Sequence, residues 1–276
     1  MFNKEISQEM NKMIRDIKNE ALVALGEFKD TYPDYNIVFA SISGSHQFGW
    51  GTDSSDIDVR GCYQIPTENF FIEDENEKLP MTIEFKSKEY NVEFQMHELQ
   101  KFIKLTIQPN LNMLDAIFSD AILESDNRIY ESFCNFGKDA LSKASYAHVQ
   151  GLVVHMKKHR NKYNLCDPKK NLYIYRELMR GIYLFENEEL VNNINELSNR
   201  MPEFKPTVDM LLDHRYNAKF LSRDEQEVVI RVEMELEKRM VNAKEYGILR
   251  NRPKDDLKKK VNKFILNERR RNYNTE

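Results

Sequence analysis

The chain has 276 residues, of which 41% are hydrophobic and 31% charged, with 16 Phe and 13 Tyr. That supply of apolar and aromatic side chains supports a substantial core and argues against a globally disordered chain. No apolar run approaches the roughly 18 residues of a membrane span, and the first dozen residues carry charges of both signs instead of an apolar leader, so a cytoplasmic protein is expected.

Residues 3–29 place Ile6, Met10, Met13, Ile14, Ile17, Leu22, Leu25 and Phe28 at helical spacing, and Tyr32-Pro33-Asp34 ends that helix. Asn36 to Ser43 is a β-branched and apolar run that reads as a buried strand. Gly44-Ser45 then opens a loop or short helix, rich in Gly and small polar residues, that ends near Ser55. A second strand is expected from Asp56 to Tyr63, alternating polar and apolar at its start. The acidic run Glu73–Glu77 reads as an exposed excursion. Met81 to Phe85 and Asn91 to Met96 alternate again and read as a hairpin of strands. From His97 the pattern turns helical, with Leu99, Phe102, Ile103 and Ile107 on one face. Pro109 interrupts it, and a further amphipathic stretch reaches Phe118.

Beyond Leu141 the periodicity is helical throughout, over about 141–163, 169–188, 207–217, 224–246 and 254–270. The expected architecture is an α/β (α+β) half with a small mixed sheet over residues 1–140, followed by an all-helical half over 141–276. Charge divides at the same place. Residues 1–140 hold 13 Lys and Arg against 25 Asp and Glu, and the remainder holds 28 against 20. An acidic half suits cation binding and a basic half suits a polyanion, although two differently decorated solvated surfaces give the same counts. Cys62, Cys134 and Cys166 are far apart and lack a Cys-x-x-Cys pair, which fits reduced thiols better than a disulfide framework or a zinc site.

One constellation carries chemistry. On a strand, side chains at i and i+2 leave from one face, so Asp56 and Asp58 project side by side while Ile57 and Val59 point the other way. Two like charges so close repel unless a cation bridges them. Nucleotidyl transfer uses such a carboxylate pair to hold two metal ions about 3.5–4 Å apart. Gly44 permits close approach of the backbone, and Ser45 offers a hydroxyl and an N–H for a polyphosphate. Each feature alone is weak, because most Asp-x-Asp pairs are a solvated face. Together, an apolar strand, Gly-Ser, some ten residues and Asp-x-Asp on a second strand form a specific pattern.

The segment Ser43-Gly-Ser-His-Gln-Phe-Gly-Trp-Gly-Thr-Asp-Ser-Ser-Asp-Ile-Asp-Val-Arg-Gly61 resembles the signature of the DNA polymerase beta-like nucleotidyltransferase superfamily. Within it, the Phe-Gly-Trp and Asp-Val-Arg-Gly stretches resemble the RNA-ligase-associated nucleotidyltransferases of RlaP type. Glu98-Leu-Gln-Lys-Phe102 followed by Gln108-Pro-Asn110 is similar to a second pattern of that family, departing from it at Gln108. Tyr146 to Gln150, and the stretch carrying Lys169, Arg176 and Gly181, resemble its helical portion more loosely. The resemblance implies a polymerase beta-like domain, two Mg²⁺ ions, an NTP as substrate, and an RNA acceptor, with tRNA among the options. It also implies a third carboxylate on a later strand flanked by apolar residues. Val92-Glu93-Phe94 fits, with Glu93 as the metal ligand beside Asp56 and Asp58; Glu98 competes but is expected at a helix N-terminus. Gly44, Ser45, Arg60, Lys169 and Arg176 are the residues expected to hold the nucleotide. Arg60 reads equally as a structural partner of the carboxylates.

Lys157, Lys158, Arg160 and Lys162, with Lys169, Lys170, Arg176 and Arg180, form a basic run interleaved with Tyr163, Tyr173 and Tyr175. Such a run suits a backbone clamp with base stacking, or is a solvated face. Lys254 to Arg271 is similarly basic. His155 and His159 stand at a spacing that binds zinc but lack an acidic or Cys partner nearby, and His46 reads as a phosphate contact or a loop hydrogen-bonder.

Overall fold

The computed structural model describes residues 2–71, 79–108, 110–163 and 166–273, with side chains from residue 16 onward except those of 162 and 163. The acidic run Glu73–Glu77, Pro109 and the side chains of Ile6, Met10, Met13, Ile14, Lys162 and Tyr163 lie outside the described residues.

Helix α1 spans Phe2–Thr31 and lays Ala21, Ala24, Leu25 and Phe28 on a five-stranded mixed sheet. The strands are β1 (Asn36–Ser43), β2 (Ile57–Gln64), β3 (Thr82–Lys86), β4 (Val92–Glu98) and β5 (Ile122–Ser125), in the order β3-β4-β2-β1-β5. β1 is antiparallel to β2 and β5, β3 is antiparallel to β4, and β2 runs parallel to β4. The expected hairpin is the β3–β4 pair. β5 was not expected: it has four half-buried residues, too few to show a period.

Alternation assigns the two sheet faces. Ile37, Ala40, Ile42, Ile57, Val59, Tyr63, Phe94 and Met96 pack with α1. Val38, Phe39 and Cys62 join a larger core on the other side, built with the helices. These helices are α2 (Gly44–Phe48), α3 (Leu99–Ile107), α4 (Leu111–Ile117), α5 (Asn127–Ala140), α6 (Ser145–Tyr163), α7 (Pro168–Asn187), α8 (Ile194–Arg200), α9 (Lys205–Tyr216), α10 (Arg223–Tyr246) and α11 (Leu257–Tyr273). Most of α7 is buried, and α6, α8, α9 and α10 pack around it.

The larger core draws residues from both sides of residue 140, from Val38 to Val261. α11 returns to the α/β half: the Thr67 hydroxyl donates to the Arg269 carbonyl (3.0 Å), and Arg269 forms an ion pair with the fully buried Glu98. Among the described residues no helix is long and apolar enough to cross a membrane.

Candidate active site

β1 delivers the chain to the site and β2 carries it away. After Ser43 the backbone turns at Gly44 (φ 66°) into the single turn of α2, which ends at Gly49 (φ 94°). Residues 50–56 form a loop and β2 begins at Ile57, so Asp56 stands at the mouth of the strand and Asp58 inside it. Register places Ser43 of β1 beside Asp58 on one side and Glu93 of β4 beside it on the other. Paired residues share a sheet face, so Asp58 and Glu93 point the same way, as do Arg60 and Gln95. Asp58, Arg60, Glu93 and Gln95 line a cavity of about 440 Å³ with Glu84 and Lys86.

Asp58 is the electrostatic centre. Burial first, then the neighbouring charge of Asp56 and that of Glu93, push its carboxyl above the ordinary value, while Arg60 and Lys169 pull it down. A carboxylate crowded by two others in a half-buried position is a group that a cation relieves. Gly44 completes this arrangement. A Cβ built there lies 1.9 Å from Asp58 Oδ2 and 2.7 Å from Asp58 Cγ, so the space that a side chain would need holds the Asp58 carboxylate. The hydroxyls of Ser43 and Ser45 and Nε2 of His46 are buried without hydrogen-bond partners. The cost of leaving such groups unmade suits a ligand that would engage them. Burial holds the His46 imidazole below its usual value, outweighing the charges of Asp56 and Asp53.

The donor set fits a divalent cation, but Asp56, Asp58 and Glu93 are not closed into a cage. Among the described residues no three His, Cys, Asp or Glu side chains converge tightly enough to hold a metal. Glu93 is half exposed and bonded to Lys86 (Nζ to Oε1, 2.8 Å). An exposed pair of this kind is worth roughly 0–1 kcal/mol, so Glu93 is readily freed. Glu98 is placed differently. Its side chain is fully buried, caps α3 by accepting the Gln100 N–H (2.7 Å), and pairs with Arg269.

From the helical half, α7 reaches the site through its first turns. Lys169 is near enough to lower the Asp58 carboxyl. One turn on, Tyr173 packs edge-on to Trp50 (5.0 Å between centroids) and has its phenol pushed up by burial and then by Asp58.

Arg176 does not belong with them. Its guanidinium is 1% exposed and committed to Asp115 (3.0 Å), Glu177 (2.6 Å) and the Asn192 carbonyl (2.8 Å), and it stacks 3.5 Å over Phe48. It braces α2 from behind and has no face left for a nucleotide. The basic run on α6 and α7 is corrected in the same way. Arg160 is buried against Glu233 and Asn171, Arg180 against Asp115 and Glu177, and Lys157 bridges Glu233 (2.8 Å) and Glu237 (2.9 Å). The Tyr175 hydroxyl is spent on the Val229 carbonyl (2.7 Å). These charges are internal struts; Lys158 stays exposed. His155 and His159 are exposed on α6 and join no metal-holding group among the described residues.

Four residues of the neighbourhood have no counterpart in the sequence reading. Asn193 and Asn195, at the start of α8, pack on Gly49, and Asn195 Nδ2 donates to its carbonyl (3.0 Å). Arg215 and Tyr216, at the end of α9, bind the same loop. They lie some 150 residues from it in the chain, and nothing in their local sequence announces the contact.

The family model described as the RNA repair pathway DNA polymerase beta family (RlaP) matches residues 7–267. The chain is also similar to an uncharacterized protein of Methanocaldococcus jannaschii, at 28% identity over 166 residues. That match covers 57% of this chain and 64% of the archaeal protein, so the chain spans less than two thirds of that relative's length. The chain belongs to the RNA repair pathway DNA polymerase beta family.

Proposed function

We propose that this polymerase beta-like protein is a metal-dependent nucleotidyltransferase that moves NMP from an NTP to a hydroxyl acceptor, with an RNA 3′ end as the acceptor. The observation that carries the reading is the Asp58 carboxylate, seated against Gly44 with Asp56 and Glu93 as like-charged neighbours. Asp56, Asp58 and Glu93 would hold two Mg²⁺ ions. When bound, such ions lower the pKa of the attacking hydroxyl and neutralise charge on the triphosphate.

The chain's own groups do the rest. The unpartnered Ser43 and Ser45 hydroxyls offer donors to phosphate oxygens beside Gly44. Arg60 and Lys169, both of which lower the Asp58 carboxyl, would supply positive charge to the triphosphate beside it. The acceptor oxygen bonds to the α-phosphorus as the bond to the bridging oxygen breaks, and pyrophosphate leaves. Catalysis of this kind rests on positioning and charge.

The family's link to an RNA repair pathway supports RNA as the acceptor. A second reading, transfer to a protein side chain or a small molecule, gains from the helical half. There Lys157, Arg160, Arg176 and Arg180 are paired internally, which shrinks the surface available to a polyanion. The experiment is incubation with each α-labelled NTP, Mg²⁺, and total RNA or total protein. Label in RNA supports the first reading, label in protein the second, and label in neither refutes transfer to either macromolecule.

A further inference from the structure

The segment from Gly49 to Asp56 has no helix or strand of its own, yet it ends on a proposed metal ligand. An irregular segment holds its last side chain only as well as its tethers hold the backbone, and misplacing a reacting group by about 1 Å costs on the order of 10²-fold in rate. Besides the Trp50 N–H to the Ser45 carbonyl (3.1 Å) and a hydrogen bond between His46 and the Ser55 backbone, tethers come from the helical half. At the near end, the Gly49 carbonyl accepts from the Tyr216 hydroxyl (2.8 Å) and from Asn195 Nδ2 (3.0 Å). At the far end, Arg215 Nη2 donates to Ser55 Oγ (3.1 Å) and to Thr52 Oγ1 (3.5 Å). Ser55 Oγ also accepts the Thr52 N–H (3.0 Å), and the Ser55 N–H donates to the Thr52 carbonyl (2.8 Å). The guanidinium therefore closes the 52–55 turn, and the next residue is Asp56.

Among the described residues both of these Arg215 bonds go to hydroxyls and neither to a carboxylate. Its Nε is buried without a partner. Arg176 and Arg180, by contrast, are paired with the Asp115 carboxylate. Here the cation stands behind a turn that contains Asp53 and is followed directly by Asp56. Both bonds leave from one nitrogen, Nη2, which the rigid guanidinium plane holds against the two hydroxyls.

We infer that Arg215 is a positioning residue that acts through Ser55 to aim Asp56 at the metal site. The inference rests on the nucleotidyltransferase reading. Outer residues that orient metal ligands typically contribute about 10- to 100-fold to metal affinity or activity.

Mn²⁺ binding is the test, measured by loss of the free-ion electron paramagnetic resonance signal alongside the melting temperature. The proteins compared are wild type, Arg215→Ala, Arg215→Lys, Ser55→Ala and the double Arg215→Ala/Ser55→Ala variant. Arg215→Ala should weaken Mn²⁺ binding about tenfold or more at temperatures where it remains folded, and Arg215→Lys, whose ammonium can serve both hydroxyls from one nitrogen, should recover part of that loss. Because the arginine acts through the serine, removing it once Ser55 is gone should cost nothing further, so the double variant should be no weaker than Ser55→Ala alone. Losses that add would overturn the route through Ser55. Wild-type affinity in Arg215→Ala, or in Ser55→Ala should the arginine variant fail to fold, would overturn the positioning role. A wild type that binds no Mn²⁺ would overturn the metal site itself, and this inference with it.

Discussion

Gly44→Ala is a small change with two separable costs. The first is backbone: at φ 66° an L-residue meets its following carbonyl, a penalty of about 1–2 kcal/mol. The second is contact. The new Cβ would sit 1.9 Å from Asp58 Oδ2, and Cβ contacts under 3.0 Å are essentially never seen, so the carboxylate or the β1–α2 corner must shift by about 1 Å. The backbone cost predicts a lower melting temperature, at about 2–4 °C per kcal/mol for a chain of this size. The displacement predicts a loss of Mn²⁺ affinity and of transfer rate, with about 10²-fold the expected scale for a 1 Å misplacement. Calorimetric melting and a Mn²⁺ titration read the two separately. Introducing the change into an Asp58→Ala background removes the atoms at 1.9 and 2.7 Å and leaves Asp58 Cβ at 3.0 Å, so the stability cost there should shrink toward the backbone part. A Gly44→Ala protein with wild-type Mn²⁺ affinity would refute the packing of Gly44 against Asp58. An equal stability cost in both backgrounds would refute the contact part.

The remaining predictions concern charge. Asp58→Asn should raise the melting temperature in metal-free buffer at neutral pH. The folded carboxyl titrates above its ordinary value of 3.8, so the unfolded chain releases this proton first and stability falls as pH rises through that window; the gain should vanish on acidification below 3.8, and a gain independent of pH would refute the cause given. Glu98→Ala should cost about 3–5 kcal/mol by leaving Arg269 unpaired and α3 uncapped. Glu93→Gln should change stability by under about 1 kcal/mol while weakening Mn²⁺ binding, and urea unfolding with a metal titration distinguishes this ranking from its reverse. Asp115→Ala should be among the most damaging single changes, at about 3–5 kcal/mol, because it leaves two buried arginines, Arg176 and Arg180, to share the single carboxylate of Glu177. Although burial alone would raise the Asp115 carboxyl, the two arginines hold it below 3.8; its contribution is therefore lost only as pH falls through that depressed value.

What the sequence made legible was local. The β1–α2–β2 corner is written in one stretch of 19 residues, because Gly44, Asp56 and Asp58 act on near neighbours. β3 and β4 show their alternation openly, and the Glu98 cap lies two residues from the N–H it accepts. α5 was legible but unread: Asp126 caps it, and Ile129, Phe133, Phe136 and Ala140 fall on one face. β5 and α8 are four and seven residues long, below the length at which a period asserts itself. The basic run misled because charge counts do not register pairing. Lys157 and Arg160 meet Glu233 across some 75 residues of chain, and Arg176 meets Asp115 across about 60. The tethers at Gly49 and Ser55 were out of reach for the same reason, since tertiary packing alone brings α8 and α9 to that loop.

The most direct test is label transfer from [α-³²P]NTP and [γ-³²P]NTP to total RNA in the presence of Mg²⁺, with wild type, Asp56→Asn and Asp58→Asn run in parallel. Wild type should move the α-label and not the γ-label into RNA. Neither variant should transfer label, although both remain folded by melting temperature. Absence of α-label from RNA with every NTP, or transfer that persists in both folded variants, would contradict a nucleotidyltransferase centred on Asp56 and Asp58 and acting on RNA.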